Sequence, residues 1–226
     1  MIPWLQIGTA RVPGADVELR LMRRGAEFSM MLGSSELMNS RLSGSEQALA
    51  TLACKRLEAV KAPHLLIGGL GMGFTLRAAL AALGSEARIM VAELVPAVIA
   101  WARGPMADLF GDSLDDPRAS ILSADVVDVI RSRPSAFDAI LLDVDNGPEG
   151  LIRKANDALY NAVGLQAIRR ALRPGGVLAV WSSAPNALFS KRLRDAGFDV
   201  DEVAVRATAR RRGARHIIWF AAKSAR

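Results

Sequence analysis

From residue 64 onward, the chain alternates between short apolar runs and segments with helical periodicity. Five runs of strand length lie at 64–68, 88–94, 119–125, 137–145 and 175–183, and apolar residues spaced three and four apart follow each of them. Strands that alternate with helices predict a doubly wound, mostly parallel sheet with right-handed crossovers and helices on both faces.

The last two apolar runs, 200–209 and 216–223, break this alternation because only the short segment RRRGAR separates them. Parallel neighbours need a crossover of about a dozen residues, so these runs are predicted to pair as an antiparallel hairpin. A seven-stranded parallel sheet that ends in such a hairpin resembles the Rossmann-like class I methyltransferase fold.

The first 42 residues follow a different pattern. Runs at 17–22 and 27–32, separated by Arg-Gly and Gly-Ser-Ser breaks, predict hairpins of a small β element. A helical segment follows at 43–60, with Ser43 or Ser45 as its N-terminal cap. We therefore divide the chain into an N-terminal β element, 1–42, and a Rossmann-like domain, 43–226.

Composition excludes several classes of protein. No apolar run reaches membrane-spanning length, and MIPWLQIG lacks the charged start and long apolar stretch of a secretory signal, so we expect a cytoplasmic protein without a membrane partner. The single cysteine, Cys54, excludes an internal disulfide and is interpreted as a core residue. The two histidines, His64 and His216, lack clustered acids or thiols, so we expect structural roles and no metal site.

The net charge of +6 comes mostly from arginines that are spread along the chain. One cluster lies near the turn of the C-terminal hairpin and consists of Arg206, Arg210, Arg211, Arg212 and Arg215. We interpret it first as a solvated loop, second as an anion contact and only third as an RNA-binding site. With only Trp219 as a nearby aromatic residue, no nucleic-acid partner is expected.

A glycine-rich loop follows the first strand of the predicted sheet, in IGGLGMGFTLR. Glycine allows a tight turn and a close approach of the main chain to a ligand, and the following helix favours an electron-rich group. A nicotinamide-binding loop would have a third glycine where Phe74 stands. The spacing of Gly69, Gly71 and Gly73 favours S-adenosylmethionine, with a tight turn that binds no ligand as the alternative.

Two acidic residues end the next two strands, where open α/β sheets bind their ligands. Glu93 is predicted to accept hydrogen bonds from both hydroxyls of a ribose, because a carboxylate offers two oxygens in a fork. Asp125 is predicted to contact the adenine amine, to cap the following helix, or to do both.

Asp143 and Asp145 end the fourth strand in LLDVDNGPE and are the candidate catalytic residues. Acids at the mouth of the crevice suit the orientation and deprotonation of an amine. A turn-forming Asp-Asn-Gly segment is the alternative. Glu149 is left open between a functional and a structural role.

Several of these motifs resemble those of the spermidine synthase family of aminopropyltransferases, over roughly 36–223. They are IGGLGMGFTLR, LLDVDNGPEGL and ALRPGGVLAV. The resemblance implies that Gly69, Gly71, Glu93 and Asp125 hold the nucleoside, that Asp143 lies beside an acceptor amine, and that the protein forms a homodimer.

Departures from the family pattern bear on the reaction. The family has an aspartate, which pairs with the amine of decarboxylated S-adenosylmethionine, where this chain has Gly71, and a tyrosine where it has Leu49. Glu46 is retained, whereas the second acid of the family motif falls on Asn146. The missing acid at Gly71 makes ordinary S-adenosylmethionine more acceptable.

We therefore predict methyl transfer from S-adenosylmethionine to a small acceptor, which could be an amine. Aminopropyl transfer from decarboxylated S-adenosylmethionine, as in polyamine synthesis, is the alternative. The third hypothesis is a non-catalytic nucleoside-binding or assembly module.

Overall fold

The computed structural model describes residues 2–144, 158–207 and 214–225. Its N-terminal part is a four-stranded antiparallel sheet in the order β1-β2-β3-β4. The strands are β1 (Leu5–Arg11), β2 (Glu18–Arg24), β3 (Glu27–Leu32) and β4 (Ser35–Asn39). The two predicted hairpin runs thus become β2 and β3, and two further strands flank them.

The second sheet has seven strands in the order β10-β11-β9-β8-β5-β6-β7. The strands are β5 (His64–Gly68), β6 (Arg88–Glu93), β7 (Ala119–Ser123), β8 (Phe137–Leu142), β9 (Leu172–Ser182), β10 (Asp199–Arg206) and β11 (Arg215–Ala222). Strands β5 to β9 pair in parallel, whereas β11 is antiparallel to both β9 and β10. This confirms the predicted fold class, including the C-terminal hairpin.

Helices cover both faces of this sheet. They are α1 (Gly44–Lys55), α2 (Phe74–Ala82), α3 (Pro96–Arg103), α4 (Ala107–Phe110), α5 (Val126–Ser132), α6 (Ala162–Ala171) and α7 (Ala187–Asp195), with a 3-10 turn at Gly111–Leu114. Among the residues that the structure describes, no helix is long and apolar enough to cross a membrane.

Side-chain caps fix where several helices begin. The side chains of Asp125, Asn161 and Asn186 accept hydrogen bonds from main-chain amides in the first turns of α5, α6 and α7. Ser43 occupies the predicted N-terminal cap position of α1, but its side chain makes no cap hydrogen bond, and Ser45 bonds to other side chains. Helix α1 also ends at Lys55, before the predicted limit at residue 60.

The core is built on the central strands of the large sheet. Leu66 and Ile67 of β5 and Leu141 of β8 are fully buried. Leu21 and Met30 of the N-terminal sheet belong to the same apolar cluster as Ile67. The small sheet therefore packs directly onto the large domain, which brings it beside the carboxyl ends of the parallel strands.

Candidate active site

A cavity lies between the carboxyl ends of the parallel strands and the N-terminal sheet. Its polar side is lined by Gly69, Gly71, Glu93, Asp125 and Asp143. Its apolar side includes Val12, Leu19, Met30, Leu37 and Met38 from the N-terminal element. A carboxylate edge facing an apolar wall suits a ligand with hydroxyl or amino groups on one side and a flat apolar group on the other.

The three loop glycines all have left-handed backbone angles, with φ of +88° at Gly69, +51° at Gly71 and +77° at Gly73. A Cβ atom at Gly69 would lie 2.8 Å from the main-chain oxygen of Asp143. Gly73 begins α2 against the ring of Phe110 and is not among the residues that line the cavity. Close packing against Phe110 therefore explains the glycine at 73, whereas Gly69 and Gly71 border the predicted ligand.

Glu93 holds the glycine loop in place from the end of β6. The side chain is 7% exposed, Oε2 accepts a hydrogen bond from the Leu70 amide at 2.8 Å, and Oε1 accepts one from the Val95 amide at 2.8 Å. Burial raises the pKa of Glu93, and the hydrogen bonds from main-chain amides oppose that shift. The main-chain amides of Gly71 and Leu94 also act on this carboxylate, and ribose binding by Glu93 stays a prediction.

We expect Glu93→Gln to lower the free energy of unfolding by about 1–3 kcal/mol, because its amide nitrogen cannot accept one of the two buried amide hydrogen bonds. Urea denaturation measures the change. The matched control is Glu58→Gln, which makes the same substitution at an exposed position after α1. Equal unfolding free energies for the two variants would contradict the role of Glu93 in holding the loop.

Asp125 caps a helix and also borders the cavity. Its Oδ1 accepts a hydrogen bond from the Val127 amide at 2.9 Å, which caps α5. The residue also lines the cavity, one strand beyond Glu93. The cap is thus observed, and contact with the adenine amine stays a prediction.

Asp143 directly follows β8 and borders the cavity. The hydroxyl of Thr75 donates a hydrogen bond to its Oδ2 at 2.8 Å. Burial raises the pKa of Asp143 to about 7, the nearby Glu46 carboxylate adds to the shift, and the Thr75 hydrogen bond opposes it. A carboxylate with a pKa near neutrality can take up and release a proton under ordinary conditions.

A second cavity adjoins the first and shares Leu37, Met38, Gly71 and Asp143 with it. Its remaining lining residues are Glu46, Leu70, Met72, Phe74 and Trp181. Burial raises the pKa of Glu46 as well. Two carboxylates within an otherwise apolar lining suit a cationic group, because an amine would neutralise charges that are costly to bury alone.

Sequence reasoning missed three of the residues around Asp143. Thr75 lies in the first turn of α2. Met38 lies in β4, and no local sequence motif marks it. Trp181 lies near the carboxyl end of β9, so the rule that ligands bind at such strand ends could have identified it.

Some predicted residues lie outside the site or outside the described residues. Asp145, Asn146 and Glu149, and also Arg210, Arg211 and Arg212, are outside the described ranges. His64 begins β5, at the opposite end of the sheet from the cavities, and Cys54 is buried in α1. Within the described residues, no three His, Cys, Asp or Glu side chains are grouped as a metal site.

The sheet order, the C-terminal hairpin and the glycine loop facing Glu93 define the class I fold of S-adenosylmethionine-dependent transferases. Residues 49–192 match the model of the spermine/spermidine synthase domain. The chain therefore belongs to the spermine/spermidine synthase family, which confirms the resemblance seen in its motifs.

Individual relatives agree with this assignment. Polyamine aminopropyltransferase 1 of Streptomyces coelicolor is 34% identical over 131 residues, which are 56% of this chain and 24% of the relative. Polyamine aminopropyltransferase of Mycobacterium tuberculosis is 33% identical over 124 residues, 54% of this chain and 23% of the relative. The chain thus spans about a quarter of the length of these two relatives.

Two solved structures have the same overall fold as this chain. The spermidine synthase from Thermotoga maritima superposes with a TM-score of 0.76 at 20% identity, covering 98% of this chain and 74% of the other. A spermidine synthase in complex with the transition state analogue AdoDATO superposes with a TM-score of 0.75, also at 20% identity, covering 98% and 73%.

Proposed function

We propose that this protein is an aminopropyltransferase that uses decarboxylated S-adenosylmethionine and an amine acceptor. The observation that carries the proposal is the pair of carboxylates, Glu46 and Asp143, in a cavity that shares lining residues with the glycine-loop cavity. Membership of the family supports aminopropyl transfer better than the methyl transfer that the sequence favoured. The homodimer and the cytoplasmic location stay predictions.

The first cavity fits the adenosine part of such a donor. Gly69 and Gly71 carry no side chain that would occupy the space, and Glu93 and Asp125 present acceptors for ribose hydroxyls and an adenine amine. The apolar residues from the N-terminal sheet would cover the purine and exclude water. A donor bound there supplies an alkyl carbon attached to a positively charged sulfur.

In the second cavity, Asp143 and Glu46 would hold the acceptor amine and receive its proton. Holding the nitrogen in line with the alkyl carbon is expected to provide most of the rate enhancement. The pKa of about 7 lets Asp143 accept a proton from a bound ammonium near neutral pH. Thr75 fixes the orientation of that carboxylate.

The proposal is tested by incubating the protein with decarboxylated S-adenosylmethionine and a series of α,ω-diamines. Aminopropyl transfer leaves methylthioadenosine, which chromatography separates from S-adenosylhomocysteine, the product of methyl transfer from S-adenosylmethionine. Formation of methylthioadenosine that depends on the diamine is the expected result. Turnover of S-adenosylmethionine alone would overturn the proposal in favour of methyl transfer.

Methyl transfer is the second candidate because Gly71 offers no acid to the donor's amine. The side chain of Met38 occupies the space there, with its sulfur 3.0 Å from where a Cβ of residue 71 would lie. A non-catalytic module would be supported by side chains that fill the nucleoside site, and the cavity beside the glycine loop offers no such support.

A further inference from the structure

A chain of hydrogen bonds runs from the second cavity to the C-terminal hairpin. The hydroxyl of Ser45 donates to Oε2 of Glu46 at 2.7 Å, and Nδ1 of His216 lies 2.9 Å from the Ser45 oxygen. Since the single hydroxyl proton of Ser45 is directed at Glu46, the serine oxygen accepts from Nδ1–H of His216. Ser45 is 1% exposed, so the link is shielded from water.

His216 forms the outer end of this chain. It lies near the start of β11, opposite Val205 of β10, and is partly exposed. Its ring packs edge-on against Trp181 at a centroid distance of 4.8 Å, and Trp181 lines the second cavity. His216 itself is not among the lining residues, so the chain connects a buried carboxylate with an imidazole that water can reach.

The proposed reaction requires such a connection. When the acceptor nitrogen forms its bond to the alkyl carbon and the carbon–sulfur bond breaks, a neutral thioether leaves and the nitrogen releases one proton. Asp143 and Glu46 lie within electrostatic reach of each other, and both are poorly hydrated. A proton that either of them takes up must leave the cavity before the next turnover.

We propose that Ser45 and His216 form the route by which this proton leaves the acceptor cavity. When Glu46 is protonated, its O–H donates to the Ser45 oxygen and the Ser45 hydroxyl turns towards Nδ1 of His216, which is then in its Nε2–H tautomer. The proton passes from Glu46 to the Ser45 oxygen while the hydroxyl proton moves to Nδ1, and Nε2 then releases its proton to water, which leaves the Nδ1–H tautomer hydrogen-bonded to Ser45. Exchange of the imidazole proton from Nδ1 to Nε2 through water, together with rotation of the hydroxyl, prepares the route for the next turnover. Both residues act through Glu46 and are positioning residues, and the inference rests on the proposed aminopropyl transfer.

The surroundings of His216 fit this role. Burial lowers the pKa of His216, which keeps the imidazole neutral and able to accept a proton near pH 7. Glu46 is the charged group at the other end of the chain of hydrogen bonds. Arg206 and Arg215 form the cross-strand pair next to the Val205–His216 pair, and successive residues of a strand point to opposite faces of the sheet.

Two variants separate proton transfer from support of Glu46. In His216→Asn, the side-chain amide can still donate a hydrogen bond to Ser45 but does not exchange charge, and Ser45→Ala removes the middle of the chain. We expect both to lower kcat by about tenfold or more with little change in KM, and to increase the solvent isotope effect on kcat. Exogenous imidazole should partly restore kcat in His216→Ala.

His64→Asn is the matched control, since it makes the same substitution at the opposite end of the sheet and should leave kcat unchanged. If His216→Asn has the wild-type kcat and isotope effect, the proposed proton route is overturned and His216 only supports Glu46. If the wild-type protein forms no methylthioadenosine from decarboxylated S-adenosylmethionine in the presence of the diamines, the proposed function fails and the proposed proton route fails with it. Circular dichroism and donor binding by calorimetry verify that each variant is folded.

Discussion

The variant Asp143→Asn is expected to lose turnover by a factor of about 10²–10⁴ and yet to be more stable than the wild-type protein at pH 8. An asparagine has the same shape and still accepts the hydrogen bond from Thr75, but it cannot take a proton from the acceptor amine. It also removes a charge that the folded protein holds next to Glu46 in a poorly hydrated place. Loss of activity and gain of stability therefore share one cause.

The sign of the stability change follows from the pKa of Asp143. It rises from the ordinary 3.8 to about 7 on folding, so between these pH values the folded protein holds a proton that the unfolded chain has released. Stability consequently falls as the pH rises through this window. The variant should match the wild type near pH 4 and exceed it at pH 8 by at most a few kcal/mol, since water in the cavity screens part of the charge.

Urea denaturation at both pH values and diamine-dependent formation of methylthioadenosine measure the two effects. Asp108→Asn, at an exposed position in α4, is the control and should change neither. A stability gain of the same size at pH 4 and pH 8 would show that the ionisation of Asp143 is not its cause. Full turnover in Asp143→Asn would exclude this carboxylate as the base.

The large sheet was predictable because each buried strand forms a continuous apolar run, and each helix between strands has apolar residues spaced three and four apart. The hairpin at the end followed from the length of its connection alone. Strand β1 was missed because LQIGTAR is mostly exposed and lacks an apolar face, so its pairing with β2 depends on the tertiary structure. Local pattern therefore described the buried sheet better than the small one.

The polar half of the site was predictable for a topological reason. Glu93 ends β6, Asp125 and Asp143 come just after β7 and β8, and the carboxyl ends of parallel strands meet at one edge of a sheet. The other half is not encoded locally: Met38 belongs to another sheet, and Ser45 and His216 are 171 positions apart. Only folding brings these residues to the cavity.

Introducing an acid at residue 71 should change which donor the protein prefers, provided that Met38 is replaced by a smaller residue at the same time. Gly71→Asp alone should weaken both donors, because its Cβ would lie 3.0 Å from the Met38 sulfur and the φ of +51° strains any side chain by about 1–2 kcal/mol. With Met38→Ala, the carboxylate gains room beside the donor's amine. We expect this double variant to shift the ratio of the two affinities at least about tenfold towards decarboxylated S-adenosylmethionine, since the carboxylate of the ordinary nucleoside is repelled.

Calorimetric Kd values for both nucleosides, in the wild type, the two single variants and the double variant, form a cycle that isolates the coupling between positions 71 and 38. Gly71→Asn in the Met38→Ala background supplies the same bulk without the charge. If that variant shifts the ratio as much as the aspartate does, space and not charge selects the donor. A shift that occurs only with the aspartate would mean that a negative charge at residue 71 selects the donor, as the family pattern implies. It would also mean that the Met38 side chain occupies the space of the missing acid.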